Sequence, residues 1–188
     1  MIRLENINKS FGSKAVLCGF SANFEQGRRY CIMGASGGGK TTLLNIILGL
    51  QKADSGTVSG VPEHIAAVFQ EDRLCEPYSA VANVMAVTGS TVPEAEIIAL
   101  LGALGLEGNE RIAVNKLSGG MRRRVALARA LLAKSELIIL DEAFKGLDDA
   151  TRERVISVLC EYSAGKTLIL ATHDLRDAAS LGAEVIEL

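Results

Sequence analysis

The sequence is poor in aromatic residues: tryptophan is absent, and Phe, Tyr and Trp together make up 4% of its 188 residues. Proteins that bind single-stranded nucleic acid usually stack the bases on several aromatic rings, so we expect no such platform. Basic residues are not in excess either, because 20 Lys and Arg stand against 22 Asp and Glu, for a net charge of −2. A chain that bound nucleic acid through charge alone would carry a strong basic excess. Nucleic acid is therefore not an expected partner.

Long apolar segments are also missing. The longest apolar segment extends from Ile97 to Leu106, which is well short of the ~20 residues that a membrane-spanning helix needs. The opening residues, Met1 to Asn6, are partly charged and lack the hydrophobic stretch of a signal peptide. Apolar residues make up 48% and charged residues 22% of the chain, as in ordinary globular proteins. We expect one soluble cytosolic domain over residues 1–188, without an appended regulatory domain.

Cysteine is sparse and widely spaced. The four cysteines lie at Cys18, Cys31, Cys75 and Cys160, and no Cys-x-x-Cys pair occurs. Zinc sites and disulfide frameworks need closer or more regular spacing. We therefore expect reduced thiols that are mostly buried as small apolar side chains.

Hydrophobic periodicity predicts short strands that alternate with helices. Strands are predicted at Ile2 to Ile7, Val16 to Phe24, Arg28 to Met33, Thr57 to Ser59, Ile65 to Phe69, Leu137 to Leu140 and Thr167 to Ala171, followed by a short helix and a last strand. Helices are predicted at Lys40 to Leu50, Ser79 to Leu106, with a start at Pro93, Ser118 to Ala133 and Asp148 to Tyr162. This alternation predicts an α/β fold with a mainly parallel sheet. A helical stretch interrupts it, and we interpret residues 71–116 as an inserted helical subdomain.

The strongest local signal is Gly34-Ala-Ser-Gly-Gly-Gly-Lys40-Thr41, which fits the pattern G-x-x-x-x-G-K-[ST] between a predicted strand and a predicted helix. Glycines allow successive backbone N–H groups to point into one concavity at a helix N-terminus, where an anion binds. Lys40 adds a positive charge for the β- and γ-phosphates, and the Thr41 hydroxyl can ligate Mg²⁺. A merely flexible glycine-rich turn is a much weaker interpretation in this context.

Two further segments carry chemistry. Asp141 and Glu142 end a predicted buried strand, where Asp141 would hold Mg²⁺ and Glu142 would orient or deprotonate a water molecule. Ser118-Gly-Gly-Met121 opens a helix and forms a second phosphate-binding cradle, with Ser118 as its cap. Taken alone, Arg122 to Arg124 after it are more typical of a solvated helix face, and Ser-Gly-Gly of a capped turn.

Together these residues resemble the ATP-binding cassette ATPases, the nucleotide-binding subunits of ABC transporters. Leu117 to Met121 resembles the signature motif, Gly34 to Thr41 the Walker A loop and Leu137 to Glu142 Walker B with its catalytic glutamate. The remaining landmarks follow the family order across almost the whole chain: Phe11 resembles the A-loop aromatic that stacks on adenine, Gln70 the Q-loop glutamine, Gly146 to Asp148 the D-loop and His173 the switch histidine. Out of this context, Phe11, Gln70 and His173 would be unremarkable core or surface residues.

The resemblance implies a P-loop NTPase core with N-terminal antiparallel strands, and ATP and Mg²⁺ as cofactors. It implies nucleotide-binding residues at Phe11, Gly34, Ala35, Ser36, Gly37, Gly38, Gly39, Lys40, Thr41, Thr42, Ser118, Gly119, Gly120, Met121 and Asp148. The implied catalytic residues are Glu142, His173, Lys40 and Gln70, and the implied metal ligands are Thr41, Gln70 and Asp141.

The implied partners are a second ATPase subunit in a head-to-tail dimer, integral-membrane permease subunits and, for an importer, a solute-binding protein. The chain would then lie at the inner face of the cell membrane and power solute transport. Gln70-Glu-Asp-Arg-Leu74 resembles importer ATPases of the nitrate, sulfonate and taurine type. An ABC ATPase of DNA repair or of the ribosome is the first alternative, although no tandem cassette, coiled-coil insert or basic linker is visible. A P-loop kinase is the second, but that group lacks Ser118 to Met121.

The sequence departs from the family pattern at a few positions. Ala35 and Ala143 stand where many relatives have proline, and Lys145 stands in the D-loop where serine is common. Ala35 should have little effect because the phosphate cradle uses backbone groups. Lys145 places a cation where it can alter contacts across a dimer interface.

Overall fold

The computed structural model describes residues 1–188 and contains eight β-strands and six α-helices. The strands are β1 (Ile2–Phe11), β2 (Lys14–Phe24), β3 (Arg29–Met33), β4 (Ser55–Ser59), β5 (Ile65–Val68), β6 (Leu137–Asp141), β7 (Thr167–Ala171) and β8 (Glu184–Glu187). The helices are α1 (Lys40–Ile47), α2 (Ala80–Thr88), α3 (Glu94–Ala103), α4 (Gly119–Leu132), α5 (Asp149–Tyr162) and α6 (Leu175–Leu181). The predicted alternation of strands and helices is confirmed.

A five-stranded sheet in the order β5-β6-β7-β3-β8 forms the centre, and all of its pairs are parallel. Every residue of β6 and β7 is buried, as their continuous apolar sequences predict for strands covered on both faces. Because β6, β7 and β3 are neighbours, the segments that follow them emerge side by side at one edge of the sheet. This edge receives Gly34, Asp141 and His173 from three separate parts of the chain.

A second sheet is antiparallel, three-stranded and ordered β2-β1-β4. It confirms the antiparallel N-terminal strands that the family resemblance implies. The hairpin of β1 and β2 turns tightly at Gly12, whose φ of +58° lies in the left-handed region that glycine adopts readily. Opposite residues at this tip are Phe11 and Lys14. Apolar residues of this sheet pack with α1 and the parallel sheet in a core of 15 buried residues.

The segment from 71 to 116 contains α2, α3 and a 3-10 turn at Val114–Lys116. The helical pattern predicted from Ser79 to Leu106 forms two helices: Gly89 ends α2 at a φ of +56°, and α3 begins after Pro93, where a helix start is predicted. Apolar residues of α2 and α3 join α4 and the parallel sheet in one core of 31 buried residues. The division of the chain into one domain with an inserted helical subdomain stays a prediction.

The cysteines are free, but the expectation that most are buried is wrong. Only Cys31 is buried; Cys18 and Cys75 are exposed, and Cys160 is half-buried. Cys18 follows the buried Leu17 in β2, so strand alternation directs it outward. Cys75 lies in the irregular segment after β5. No helix of the structure combines the length and the apolar character needed to cross a membrane.

Candidate functional site

A cleft of about 640 Å³ opens at the edge where β3, β6 and β7 end. The predicted site residues that line it are Phe11, Ser36, Gly37, Gly39, Lys40, Thr41, Thr42, Gln70, Asp141, Glu142 and His173. Lys14, Val16 and Lys145 line it as well, and sequence reasoning assigned none of these to the nucleotide. One cavity thus gathers an exposed aromatic ring, a glycine-rich loop and a group of charged side chains.

The glycine-rich loop is shaped to receive an anion. Gly39, which precedes α1, has a φ of +104°, and a Cβ there would lie 2.8 Å from the Val16 Cγ1 atom. Only glycine fits this position without a shift of the chain. The start of α1 has no capping side chain and no acidic residue in its first turn. The helix therefore presents its N-terminal N–H groups and its positive dipole end without a competing group from the chain.

Lys40 is buried beside this loop and is held by it. Its ammonium group donates hydrogen bonds of 2.7 Å to the Gly34 carbonyl and 3.0 Å to the Ala35 carbonyl. A lysine ammonium has three donor hydrogens. The two carbonyl bonds leave a donor and the positive charge for a ligand in the cleft.

Asp141 and Thr41 form the candidate metal site. The Thr41 hydroxyl donates a 2.7 Å hydrogen bond to Asp141 Oδ2, whereas Asp141 Oδ1 is buried and has no hydrogen-bond partner. Burial raises the pKa of Asp141 above its ordinary value, against the opposing effect of the Thr41 hydrogen bond. An orphaned carboxylate oxygen beside a hydroxyl fits Mg²⁺, which prefers oxygen ligands and keeps several waters. Gln70 lines the same cleft and can supply an amide oxygen.

Glu142 and His173 both line the cleft and are in contact with each other. The His173 Nδ1 atom lies 3.1 Å from both carboxylate oxygens of Glu142. Glu142 has a φ of +51°, which is uncommon outside glycine, and its N–H donates a 2.9 Å hydrogen bond to the Ala171 carbonyl. Such strain persists where the surrounding structure holds it and is frequent at functional sites. The pair can orient a water molecule and accept its proton.

The segment that carries His173 is anchored to α5 by hydrogen bonds and ion pairs. The Thr172 hydroxyl donates a 2.7 Å hydrogen bond to the buried Asp177, which also pairs with Arg152 of α5. Arg152 forms a second ion pair of 2.8 Å with Asp174. Hydrogen bonds from Arg176 and then Arg152 hold the pKa of Asp174 well below its usual range, so this carboxylate is ionised at neutral pH. The position of His173 is therefore linked to α5.

Arginines of α4 hold the segment that carries Gln70. Arg123 is buried, donates hydrogen bonds to the Phe69 and Gln70 carbonyls and lies 3.3 Å from the Asp72 carboxylate. Arg124 donates to the Leu104 carbonyl at 2.9 Å. The interpretation of Arg122 to Arg124 as a solvated helix face is therefore wrong for Arg123 and Arg124. Their partners are main-chain carbonyls from distant segments, which no local pattern in the sequence reveals.

The second predicted phosphate cradle lies outside the cleft. Ser118 caps α4 as predicted, accepting a 3.3 Å hydrogen bond from the Met121 N–H. A Cβ at Gly120 would lie 3.5 Å from the Leu147 side chain, so the cradle adjoins the predicted D-loop. Asp148 of that loop caps α5, with hydrogen bonds of 2.9 and 2.7 Å from Thr151. Within one chain, Ser118 to Met121 and Asp148 do not line the cleft that contains the glycine-rich loop.

Comparison with solved structures gives the same fold. A dimeric ATP-binding cassette in a post-hydrolysis state, bound to ADP and phosphate, matches with a TM-score of 0.87 and 29% identity, covering 100% of this chain and 94% of that one. A dimeric bacterial ABC transporter cassette matches with a TM-score of 0.87 and 30% identity over the same shares.

Comparison with curated proteins gives importer subunits. The aliphatic sulfonates import ATP-binding protein SsuB 1 of Paraburkholderia xenovorans is 36% identical over 98% of this chain and 56% of its own length. SsuB 2 of Nocardia farcinica is 37% identical over 100% of this chain and 80% of its own length. The Fe(3+) ions import ATP-binding protein FbpC of Streptomyces coelicolor is 35% identical over 99% of this chain and 58% of its own length. The chain thus spans a little over half the length of the first and third of these relatives.

The family model described as ABC transporter matches residues 17–145, which include the glycine-rich loop, the Ser118 to Met121 cradle and the paired carboxylates. The resemblance noted in the sequence is therefore confirmed over most of the chain. The chain belongs to the ABC transporter family of ATP-binding cassettes.

Proposed function

We propose that this chain binds ATP with Mg²⁺ in the cleft and hydrolyses it to ADP and phosphate, and that this reaction powers solute import through a separate membrane permease. The observation that carries the proposal is the convergence of Lys40, Asp141, Glu142 and His173 in one cavity beside a glycine-rich loop. Replacing Glu142 with glutamine tests it, because hydrolysis of ATP should fall while binding of ATP persists.

Each residue has a separate role in this proposal. Phe11 is half-exposed at the hairpin tip and stacks on the adenine. The loop from Gly34 to Thr42 binds the phosphates through its backbone N–H groups and through the Lys40 ammonium group, whose charge strengthens its hydrogen bonds to phosphate oxygens. Thr41, Asp141 and Gln70 hold the metal ion, which neutralises charge on the phosphates when bound.

Glu142 and His173 act on the water molecule. Glu142 accepts the proton as the water attacks the terminal phosphate, and His173 keeps the carboxylate in place through Nδ1. Pre-positioning of this kind supplies most of the catalysis in phosphoryl transfer, where the protein forms no covalent bond.

A second copy of the chain completes the site. Ser118 to Met121 form a helix N-terminus that lies outside the cleft of their own chain, and a helix N-terminus can bind phosphate. A two-fold, head-to-tail dimer would bring this cradle over the partner's glycine-rich loop, with Asp148 at the interface. ATP between the two surfaces then favours the closed dimer, and hydrolysis reopens it.

The relatives named above support import, and SsuB 1 and SsuB 2 are named for aliphatic sulfonates. We infer an importer of the nitrate, sulfonate and taurine type, with a solute-binding protein as a further partner and a location at the inner membrane face. These relatives favour import over the DNA-repair and ribosome alternatives. Membership of the ABC family sets aside a P-loop kinase.

The permease should dock beside Gln70. A groove of about 350 Å³ is lined by Gln70, the residues that follow it to Leu74, and Glu76 of the same segment. Gln70 lines this groove and also the nucleotide cleft. A partner in the groove would therefore contact the segment that senses the nucleotide.

A photoreactive residue at Glu76, which is exposed in the groove, is expected to crosslink a polytopic membrane protein in membranes of the native cell. The control position is Glu5, exposed on the antiparallel sheet away from the groove. Asn83 is unsuitable, because it is buried and bonded to the carbonyls of Cys75 and Ser79. Docking at the groove is wrong if Glu76 captures only soluble proteins or if Glu5 captures the permease equally well.

A further inference from the structure

Lys145 is a free cation in the nucleotide cleft. Its side chain is exposed, lines the cleft and forms no ion pair or hydrogen bond. Three other lysines are engaged: Lys9 with Asp54, Lys40 with the glycine-rich loop and Lys166 with the Leu131 carbonyl. Lys14, at the hairpin tip of the same cleft, is unpaired like Lys145. Lys145 therefore keeps its full donor capacity for a ligand.

The backbone places Lys145 firmly. Ala143 and Phe144 are buried in the main core, and the Lys145 N–H donates a 3.2 Å hydrogen bond to the Glu142 carbonyl. The loop from Glu142 to Lys145 is thus a turn fixed by packing at its middle. Its last side chain lines the same cleft as Glu142 and His173.

Glu142, which lines the same cleft, does not neutralise this cation. Both oxygens of Glu142 face His173 Nδ1 at 3.1 Å, and no ion pair joins Glu142 to Lys145. A triphosphate brings several negative charges into the cleft. A flexible lysine with three donors is suited to pair with phosphate oxygen as a point charge.

We propose that Lys145 contacts the terminal phosphate of the ATP bound in the cleft of its own chain, as a second phosphate-binding cation opposite Lys40. The inference rests on the proposed function, which places the terminal phosphate beside Glu142. Because ADP lacks that phosphate, Lys145 raises the preference of the cleft for ATP over ADP. This is a role that serine, common at this position in the family, cannot supply through charge.

The test compares the affinities of a non-hydrolysable ATP analogue and of ADP, both with Mg²⁺, by calorimetric titration of the dilute monomer. Lys145→Met is expected to weaken binding of the analogue about five- to tenfold and binding of ADP less than about twofold. Lys145→Arg keeps the charge and is expected to restore most of the preference. Because the side chain is exposed and unpaired, the variants should fold as the wild type does.

The matched control is Lys14→Met, which removes a charge from the same cleft at the hairpin tip beside Phe11. It is expected to leave the ratio of the two affinities unchanged. Equal weakening of both nucleotides by Lys145→Met, or an effect seen only in the dimer, would overturn a contact with the terminal phosphate in the same chain. Failure of the wild type to bind either nucleotide would instead refute the proposed function, and this inference with it.

Discussion

Replacing Glu142 with glutamine is expected to lower ATP hydrolysis by about 100-fold or more, the usual scale for a lost general base. Glutamine keeps the size of the side chain and a hydrogen bond to His173 but cannot accept the proton of the attacking water. The glycine-rich loop and Lys40 are untouched, so the affinity for ATP should stay within about twofold of the wild type. Phosphate release at saturating Mg-ATP, with a parallel binding titration, measures both quantities.

Glu153→Gln provides the matched control for this variant. Glu153 is exposed on α5 and forms no ion pair, so the same chemical change there should leave turnover unchanged. The dimer should also accumulate with ATP in Glu142→Gln, because hydrolysis no longer reopens it. Near wild-type turnover in Glu142→Gln would remove Glu142 from the catalytic role assigned to it.

Loss of Lys40 is expected to weaken ATP binding by about 100-fold, on the scale of a buried charge-assisted contact with phosphate. Lys40 also holds the glycine-rich loop, through its hydrogen bonds to the Gly34 and Ala35 carbonyls. Lys40→Ala removes the charge and the buried stem, whereas Lys40→Met keeps most of the stem. We expect both variants to lose affinity to a similar degree, because the charge rather than the packing binds the phosphates.

Lys166→Met is the matched control, because it removes a half-buried lysine that is not part of the cleft. Lys166 is half-buried and donates to the main-chain carbonyls of Leu131 and Ala133, far from the cleft. Its loss should affect thermal stability but not the affinity for ATP. Unchanged Mg-ATP affinity in a folded Lys40→Met protein would contradict the assignment of the glycine-rich loop.

The sequence predicts those parts of the site whose structure is determined by residues that are neighbours in the chain. A glycine-rich loop between a strand and a helix, a buried strand ending in Asp141 and a capped helix at Ser118 each follow from neighbouring residues. The parallel sheet follows from the alternation of strands and helices. Once the family is recognised, its motif order also predicts that Phe11, Gln70 and His173 belong to the site.

The parts that the sequence does not predict depend on contacts between distant segments. Arg123 reaches carbonyls that are more than 50 positions away in the chain, and Arg152 reaches the His173 segment from α5. Lys14 belongs to no motif, and the D-loop pattern places Lys145 at a dimer interface rather than in the cleft, so only the folded chain shows that both line it. The exposed position of Cys75 likewise follows from an irregular segment without periodicity.

If two copies of the chain share each ATP, two inactive variants that disable different parts of the site should complement each other when they are mixed. Lys40→Ala disables the glycine-rich loop, and Gly119→Glu places a negative charge at the second cradle. A Cβ at Gly119 meets no atom within 4 Å, and an acidic residue suits the first turn of α4, so this variant should fold. Each variant alone should hydrolyse almost no ATP.

An equal mixture of the two variants should regain activity, because each mixed dimer combines one intact loop with one intact cradle. Random assortment makes about half of the dimers mixed, each with one complete site, so we expect about a quarter of the wild-type phosphate release. A mixture no more active than its separate components, in a preparation where the wild type is active, would contradict the shared site.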